Sequence, residues 1–165
     1  MSTRILVVDD EADSASFVAG AIKGWGFEVE IASNGREGLS VLHTTLIDGI
    51  LLDLEMPVMN GWTMLDELRW QGNAVPVIVM SKEENCAKLK KLLAEGAQDY
   101  LVKPFNHLLL MQKTFRHFPW QPSMGTGPAL VKDETQEAKI PLEEGARLVQ
   151  SGFWVSAGKS DWKVA

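Results

Sequence analysis

The chain has 165 residues, 45% hydrophobic and 23% charged, with a formal net charge of −6. This is the composition of a soluble globular protein of one ordinary domain plus something smaller. The acidic balance argues against a general nucleic-acid binder, whose affinity rests on clustered Lys and Arg. The single cysteine, Cys86, excludes an internal disulfide, no apolar run has the length of a membrane span, and Met1-Ser2-Thr3-Arg4 enters a strand-like segment without a secretory leader. A cytoplasmic location without membrane contact is expected.

Arg4 to Val8 reads as a continuous apolar run, as for a strand buried on both faces. Apolar residues at helical spacing predict a helix over Asp13 to Lys23, ended by Gly24 and Gly26. Phe27 to Ile31 alternates with Glu28 and Glu30 as a half-buried strand, and Arg36 to Thr45 is the second helix, after the turn Ser33-Asn34-Gly35. Ile47 to Leu52 is the third strand. Pro57 and Asn60-Gly61 punctuate the next loop, and Trp62 to Trp70 is the third helix. Val75 to Met80 is the fourth strand, with Pro76 near its start, where a missing ladder donor is tolerated. Glu83 to Glu95 is the fourth helix, capped by Gly96; Asp99 to Val102 is the fifth strand; Phe105 to Phe118 is the fifth helix, ended by Pro119. Five strand–helix alternations imply an α/β domain, a parallel sheet with helices on both faces and right-handed crossovers.

In such a sheet the C-terminal strand ends converge on one crevice, where ligands bind. Asp9-Asp10-Glu11, Asp53, Ser81 and Lys103-Pro104 each stand just past a different strand. Three carboxylates gathered there repel one another unless a cation lies among them, and Mg²⁺ takes a few carboxylate oxygens while sharing its coordination with phosphate. Asp53 would then attack phosphorus as a nucleophile, Ser81 would donate to a phosphoryl oxygen, and Lys103 would supply a counter-charge. Pro104 holds Lys103 extended and permits a cis bond, which would help turn the ammonium back into the crevice. Each residue also has a plainer role open to it. Asp9 would cap the first helix, Asp53 would be a solvated loop carboxylate, Ser81 would cap a helix starting near Glu83, and Lys103 would be a surface lysine.

The chain resembles the receiver domain of two-component response regulators, of the chemotaxis type. The matching segments are Ile5-Leu6-Val7-Val8-Asp9-Asp10-Glu11, Asn34-Gly35-Arg36-Glu37-Gly38-Leu39, Leu51-Leu52-Asp53-Leu54-Glu55-Met56-Pro57-Val58-Met59-Asn60-Gly61, Met80-Ser81, and Gly96-Ala97-Gln98-Asp99-Tyr100-Leu101-Val102-Lys103-Pro104-Phe105. The resemblance implies a flavodoxin-like, doubly wound five-stranded sheet in the order 2-1-3-4-5 with five helices. It implies that Asp53 accepts a phosphoryl group from a sensor histidine kinase or phosphotransfer protein. It makes Asp9, Asp10, Asp53 and the backbone carbonyl of Glu55 the ligands of Mg²⁺ or Mn²⁺. It makes Ser81 and Lys103 the phosphoryl-contacting hydroxyl and ammonium, and Tyr100 the aromatic switch, which otherwise reads as a half-buried strand aromatic. Phosphorylation would draw in Ser81, turn Tyr100 inward and remodel the face of the fourth helix, fifth strand and fifth helix.

A downstream protein partner is expected, as is a homodimer through that face or through the C-terminal extension, with Lys88, Lys90, Lys91, Asp99 and Arg116 as inter-subunit ion-pair candidates. No enzymatic activity is expected beyond self-catalysed phosphotransfer and autodephosphorylation. Lys82 departs from the pattern, because the family usually has a small residue there. With Glu55 and Glu83 it flanks the entry route for hydrolytic water, and these three residues are expected to set the lifetime of the phosphorylated state.

The expected division is a receiver over 1–118, a linker over 119–128 rich in Pro and Gly, and a short extension over 129–165. The extension reads as a helix over Pro141 to Gln150 and a hairpin over Phe153 to Val164, and is too short for a usual effector domain. From Ser123 onward it has five Lys/Arg against six Asp/Glu, so DNA is not an expected partner. Its Phe153, Trp154, Val155, Trp162 and Val164 predict docking on the receiver, a dimer mate or a partner. Two other classes compete. One is a transcription regulator with a short C-terminal DNA contact. The other is an aspartyl-phosphate phosphohydrolase of the haloacid dehalogenase type, which needs an Asp where Glu55 stands.

Overall fold

The computed structural model describes residues 2–83 and 85–119. Strand and helix alternate through β1 (Arg4–Val8), α1 (Ala12–Gly24), β2 (Glu28–Ala32), α2 (Gly35–Thr44), β3 (Gly49–Asp53), α3 (Gly61–Trp70), β4 (Val77–Ser81), α4 (Cys86–Ala94), β5 (Asp99–Val102) and α5 (His107–His117). The strands form one sheet in the order β2-β1-β3-β4-β5, every pair parallel. The expected flavodoxin-like architecture is therefore the one observed. The linker beyond Pro119 and the extension with its helix and hairpin lie outside the described residues.

Successive strand residues point to opposite faces, and the apolar runs use both. Leu6, Val8, Ile50, Leu52, Val77 and Val79 join a core closed by α2, α3 and α4 through Leu39, Met64, Leu65, Leu68, Leu89 and Leu92. Ile5, Val7, Leu51, Ile78, Met80 and Leu101 join a second core closed by α1 and α5 through Ala15, Val18, Ile22 and Leu110. The central strands β1, β3 and β4 are thus covered on both sides, which is why they show no polar alternation. β2 lies at the edge, and there Glu28 and Glu30 do alternate with apolar residues.

Local chemistry moves some element ends from their predicted places. The fourth helix begins at Cys86 rather than Glu83, because Asn85 caps it and accepts from the amides of Ala87 at 2.9 Å and Lys88 at 3.4 Å. Ser81 therefore does not cap α4. The fourth strand begins at Val77 rather than Val75. Pro76 lacks a ladder donor, although its carbonyl still accepts from Ile50 at 2.9 Å, and the Val75 amide turns instead to the Asn73 side chain at 2.9 Å.

The turn after α4 depends on Gly96, whose φ of +102° is in the left-handed region, and whose carbonyl accepts from Arg69 Nη2 at 2.8 Å. Arg69 also donates to the carbonyls of Asn73 and Val75, at 2.7 Å and 2.9 Å, so one half-buried guanidinium ties α3 to the loops that lead into β4 and β5. Burial alone pulls its pKa below the ordinary arginine value.

At the far end of the sheet Phe118 is buried against Gly49, the first residue of β3, and Thr3 Oγ1 donates to the carbonyl of Pro119. The described chain thus finishes at the N-terminal edge of the strands, opposite the ends that carry Asp9, Asp53 and Ser81.

Two positions depart from local preference. Thr114, in α5, is fully buried, and its hydroxyl has no hydrogen-bond partner among the described residues. Thr114→Val, of equal shape, is expected to raise stability by about 1 kcal/mol, read as a higher urea midpoint. Val58, in the loop after β3, has φ +68° and is 77% exposed. A β-branched residue is strained in that conformation, so Val58→Asn is expected to stabilise by about 1 kcal/mol, read by thermal unfolding.

Candidate functional site

Each buried strand releases its polar residue at the same end of the sheet, and backbone bonds continue the ladder into the loops. The Asp9 amide donates to the Ala32 carbonyl at 3.1 Å, the Leu54 amide to Met80 at 3.3 Å and the Lys103 amide to Ser81 at 2.8 Å. Asp9, Asp53, Ser81 and Lys103 thereby arrive from β1, β3, β4 and β5 at one crevice. Asp9, Asp53 and Ser81 are only 2%, 7% and 2% exposed, whereas Asp10 is exposed at the rim.

Lys103 holds the centre. Its Nζ donates to Asp9 Oδ2 at 2.9 Å and to Asp53 Oδ2 at 2.5 Å. The Lys103–Pro104 bond is cis, the form that the proline permits. Burial lowers the pKa of this ammonium, but the bonds to Asp53 and Asp9 and their charges outweigh it, and the net shift is upward. Lys103 therefore remains a cation while it neutralises two buried carboxylates.

Asp9 does not cap α1. Glu11 is the cap residue and makes no side-chain cap bond. The Asp9 carboxylate instead accepts from the Glu11 amide at 3.0 Å and from Ser14 Oγ at 2.7 Å, which fixes its orientation. Asp53 Oδ1 accepts from the Glu55 amide at 3.1 Å. Ser14 escaped the sequence reading. The only signal was a hydroxyl in the first turn of the helix that follows the acidic pair.

Carboxylate oxygens of Asp9, Asp10 and Asp53 lie within 4.8 Å of one another. One charged lysine cannot offset three carboxylates, and hard oxygen donors grouped this closely suit a divalent cation such as Mg²⁺ or Mn²⁺. The residues present thus fit the metal that the sequence reading expected. A cavity of about 240 Å³ opens over them, lined by Asp10, Glu11, Asp53, Glu55, Lys82 and Lys103.

Ser81 does not line this cavity; it lines a neighbouring one that shares Glu55 with it, and its Oγ accepts from the Glu83 amide at 2.9 Å. Glu83 turns to α4, where its carboxylate accepts from the Asn85 amide at 2.9 Å and pairs with Lys88 at 2.5 Å. Like Ser81 it lines the neighbouring cavity, of about 300 Å³, with Leu54, Trp62 and Lys91 rather than the one over Asp53.

Tyr100 is half-buried, packs on the core shared with α2, α3 and α4, and has Lys113 Nζ 5.2 Å from its ring centre. That same Nζ lies 2.6 Å from Asp99, whose other carboxylate oxygen lies 2.9 Å from His117. Burial raises the Asp99 pKa, but hydrogen bonds from Lys113, the Tyr100 amide and His117 together with the Lys113 charge reverse the shift, and the net is downward. The cluster went unread because Lys113 and His117, four apart on α5, meet Asp99 only in the folded chain. Asp99, Lys88 and Lys91 thus have partners within the subunit, Lys91 through Glu95 at 3.5 Å. Any inter-subunit ion pair from them would compete with these bonds.

A family model described as the response regulator receiver domain matches residues 5–115. The chain belongs to the response regulator receiver family. Among curated proteins, the transcriptional regulatory protein PcoR of Escherichia coli is 33% identical over 110 residues, covering 67% of this chain and 49% of PcoR. The transcriptional regulatory protein PrrA of Mycobacterium leprae is 41% identical over 104 residues, covering 63% of this chain and 45% of PrrA. The receiver chain therefore spans about half the length of these relatives. Among solved structures, the chemotaxis response regulator CheY4 of Vibrio cholerae superposes with a TM-score of 0.67 at 32% identity, covering 72% of this chain and all of that one. The cluster of Asp9, Asp10 and Asp53 is the acidic pocket typical of this two-component receiver family. No helix among the receiver's described residues is long and apolar enough to cross a membrane.

Proposed function

We propose that this receiver accepts a phosphoryl group on Asp53 from a sensor histidine kinase or phosphotransfer protein and signals through a phosphorylation-dependent change of its surface. One observation carries the reading: Lys103 joins the buried carboxylates of Asp9 and Asp53 inside a cavity ringed by acidic groups. Such an arrangement is costly unless it serves a cation and an anion arriving together.

Asp9, Asp10, Asp53 and the Glu55 carbonyl would hold Mg²⁺ or Mn²⁺. The metal supplies charge neutralisation for the incoming phosphoryl oxygens. The protein's own groups do the rest. An Asp53 carboxylate oxygen forms the new bond to phosphorus while the donor's bond to phosphorus breaks and the donor leaves with its electron pair. Lys103, released from part of its bond to Asp53, faces the phosphoryl oxygens, and Ser81 Oγ turns from the Glu83 amide to donate to one of them. Tyr100 then occupies the side Ser81 has left, which loosens its contact with Lys113 and so the Asp99 cluster beneath it. By this reading the chain divides into a receiver over 1–118, a linker over 119–128 and an extension over 129–165, and it works as a signalling module rather than as an enzyme with a separate substrate.

The test is incubation of the full chain with acetyl phosphate and Mg²⁺, followed by intact mass and by light scattering. A mass gain of one phosphoryl group that disappears in the presence of a chelator supports the reading. Its absence with active donor would sink it.

A second reading draws on the relatives, which are named as transcriptional regulators. Here the output would be DNA contact by the extension. A gel shift that depends on Asp53 phosphorylation would favour it over a protein partner.

A further inference from the structure

We propose that Lys82 is a second phosphoryl-binding cation that closes the Asp53 cavity once the acceptor is modified, and so prolongs the signal. The inference rests on the reading of Asp53 as acceptor and concerns the regulation of that same site. Lys82 follows β4 directly, is exposed, and lines the cavity over Asp53 together with Lys103. It also lines the adjoining cavity of about 400 Å³, whose walls include Ser14, Phe17, Pro104 and Phe105. It therefore stands on the rim between a polar chamber that holds the acceptor and a mostly apolar one that opens to solvent.

The two lysines differ in what they already do. Lys103 donates to Asp9 and Asp53, so its charge is engaged before any phosphoryl group arrives. Lys82 has no hydrogen bond or ion pair among the described residues. Phosphorylation puts about −1.5 to −2 charges on the phosphoryl group in place of the single charge of the Asp53 carboxylate, a net gain of about one negative charge in a chamber also lined by Asp10, Glu11 and Glu55. Lys82 is the lining cation that has no such partner to give up before it answers that charge beside Lys103, on a flexible four-carbon stem with three donors.

Hydrolysis requires a water oxygen to bond to phosphorus as the bond from phosphorus to Asp53 oxygen breaks. Asp53 leaves as a carboxylate, inorganic phosphate departs and one proton goes to solvent. An ammonium drawn onto the phosphoryl oxygens from the rim occupies the approach from the larger cavity. Glu83, bound to the start of α4, is not placed to do this.

The full chain and its Lys82→Ala, Lys82→Met and Lys82→Arg variants are phosphorylated with acetyl phosphate and Mg²⁺, freed of donor, and followed by intact mass. Ala and Met are expected to shorten the phosphoryl lifetime about three- to tenfold, while Arg stays near the parent. Beryllofluoride affinity, read by ¹⁹F NMR, is expected to fall in Ala and Met with thermal unfolding unchanged. Equal lifetimes in all four chains overturn the role of Lys82, and a Met variant that decays like the parent replaces the cation with mere steric cover. No mass gain in the parent chain overturns the acceptor reading and this inference with it.

Discussion

Replacing Asp53 with Asn is expected to abolish phosphoryl uptake completely while leaving the fold intact. The amide has the shape of the carboxylate, and its oxygen can still accept from Lys103, which now donates to Asp53 at 2.5 Å. It has no anionic oxygen to attack phosphorus, and it removes one of the three carboxylates grouped within 4.8 Å. The measurement is intact mass after acetyl phosphate and Mg²⁺. The parent should gain one phosphoryl group and Asp53→Asn none, with unfolding free energies from urea denaturation within about 1 kcal/mol of each other. A full mass gain in the variant would move the acceptor elsewhere in the crevice, to Asp10 before any other because it lines the same cavity and is exposed.

Gly61→Ala should be among the most destabilising single-methyl additions in the domain. A Cβ at Gly61 would lie 2.1 Å from the backbone carbonyl oxygen of Asp53 and 2.9 Å from Leu54 Cα. Neither is the end of a flexible side chain, so the backbone itself must move. The Gly61 amide also donates to the Leu54 carbonyl at 3.0 Å, a bond that binds the start of α3 to the loop leaving β3. A loss of about 3 kcal/mol or more is expected, read by urea denaturation. Because the displaced atoms belong to Asp53, phosphoryl uptake should fall in the fraction that still folds. An unchanged urea midpoint would show that the loop has slack the close approach does not suggest.

These two positions were legible to different degrees. Asp53 alone read equally as a solvated loop carboxylate; it became legible because Asp9-Asp10, Ser81 and Lys103 also stand just past separate strands of the same alternation. Gly61 read only as turn punctuation beside Asn60. That it must be glycine depends on the approach of α3 to the end of β3, a distance no local pattern encodes. The same split runs through the rest of the site. The alternation of apolar runs with helical periodicity was enough for five parallel strands and two covered faces, since a strand buried on both sides has no polar alternation to display. It was also enough to place Asp9, Asp10, Ser81 and Lys103 at strand ends.

Element ends were read less well. Glu83 looked like the start of α4 because charged residues are common there, but the Asn85 side chain outbids it by accepting two amides at once. Ser81 was thereby freed from capping α4 and left at the end of β4, in the cavity next to the one over Asp53. Ser14, Lys113 and His117 were missed because their partners, Asp9 and Asp99, meet them only across the packing of α1 and α5 on the sheet.

By its sequence alone, then, this chain is determined as a parallel α/β domain with an acidic crevice, because hydrophobic period and strand-end chemistry are local properties, and its motifs add the resemblance to receivers. Only the tertiary structure decided that Lys103 spends its charge on Asp9 and Asp53 while Lys82 stands uncommitted on the cavity rim. Both are lysines just past a strand. Which of them meets a carboxylate is settled by the pairing of β1 with β3, and of β4 with β5, and by the loop directions that follow.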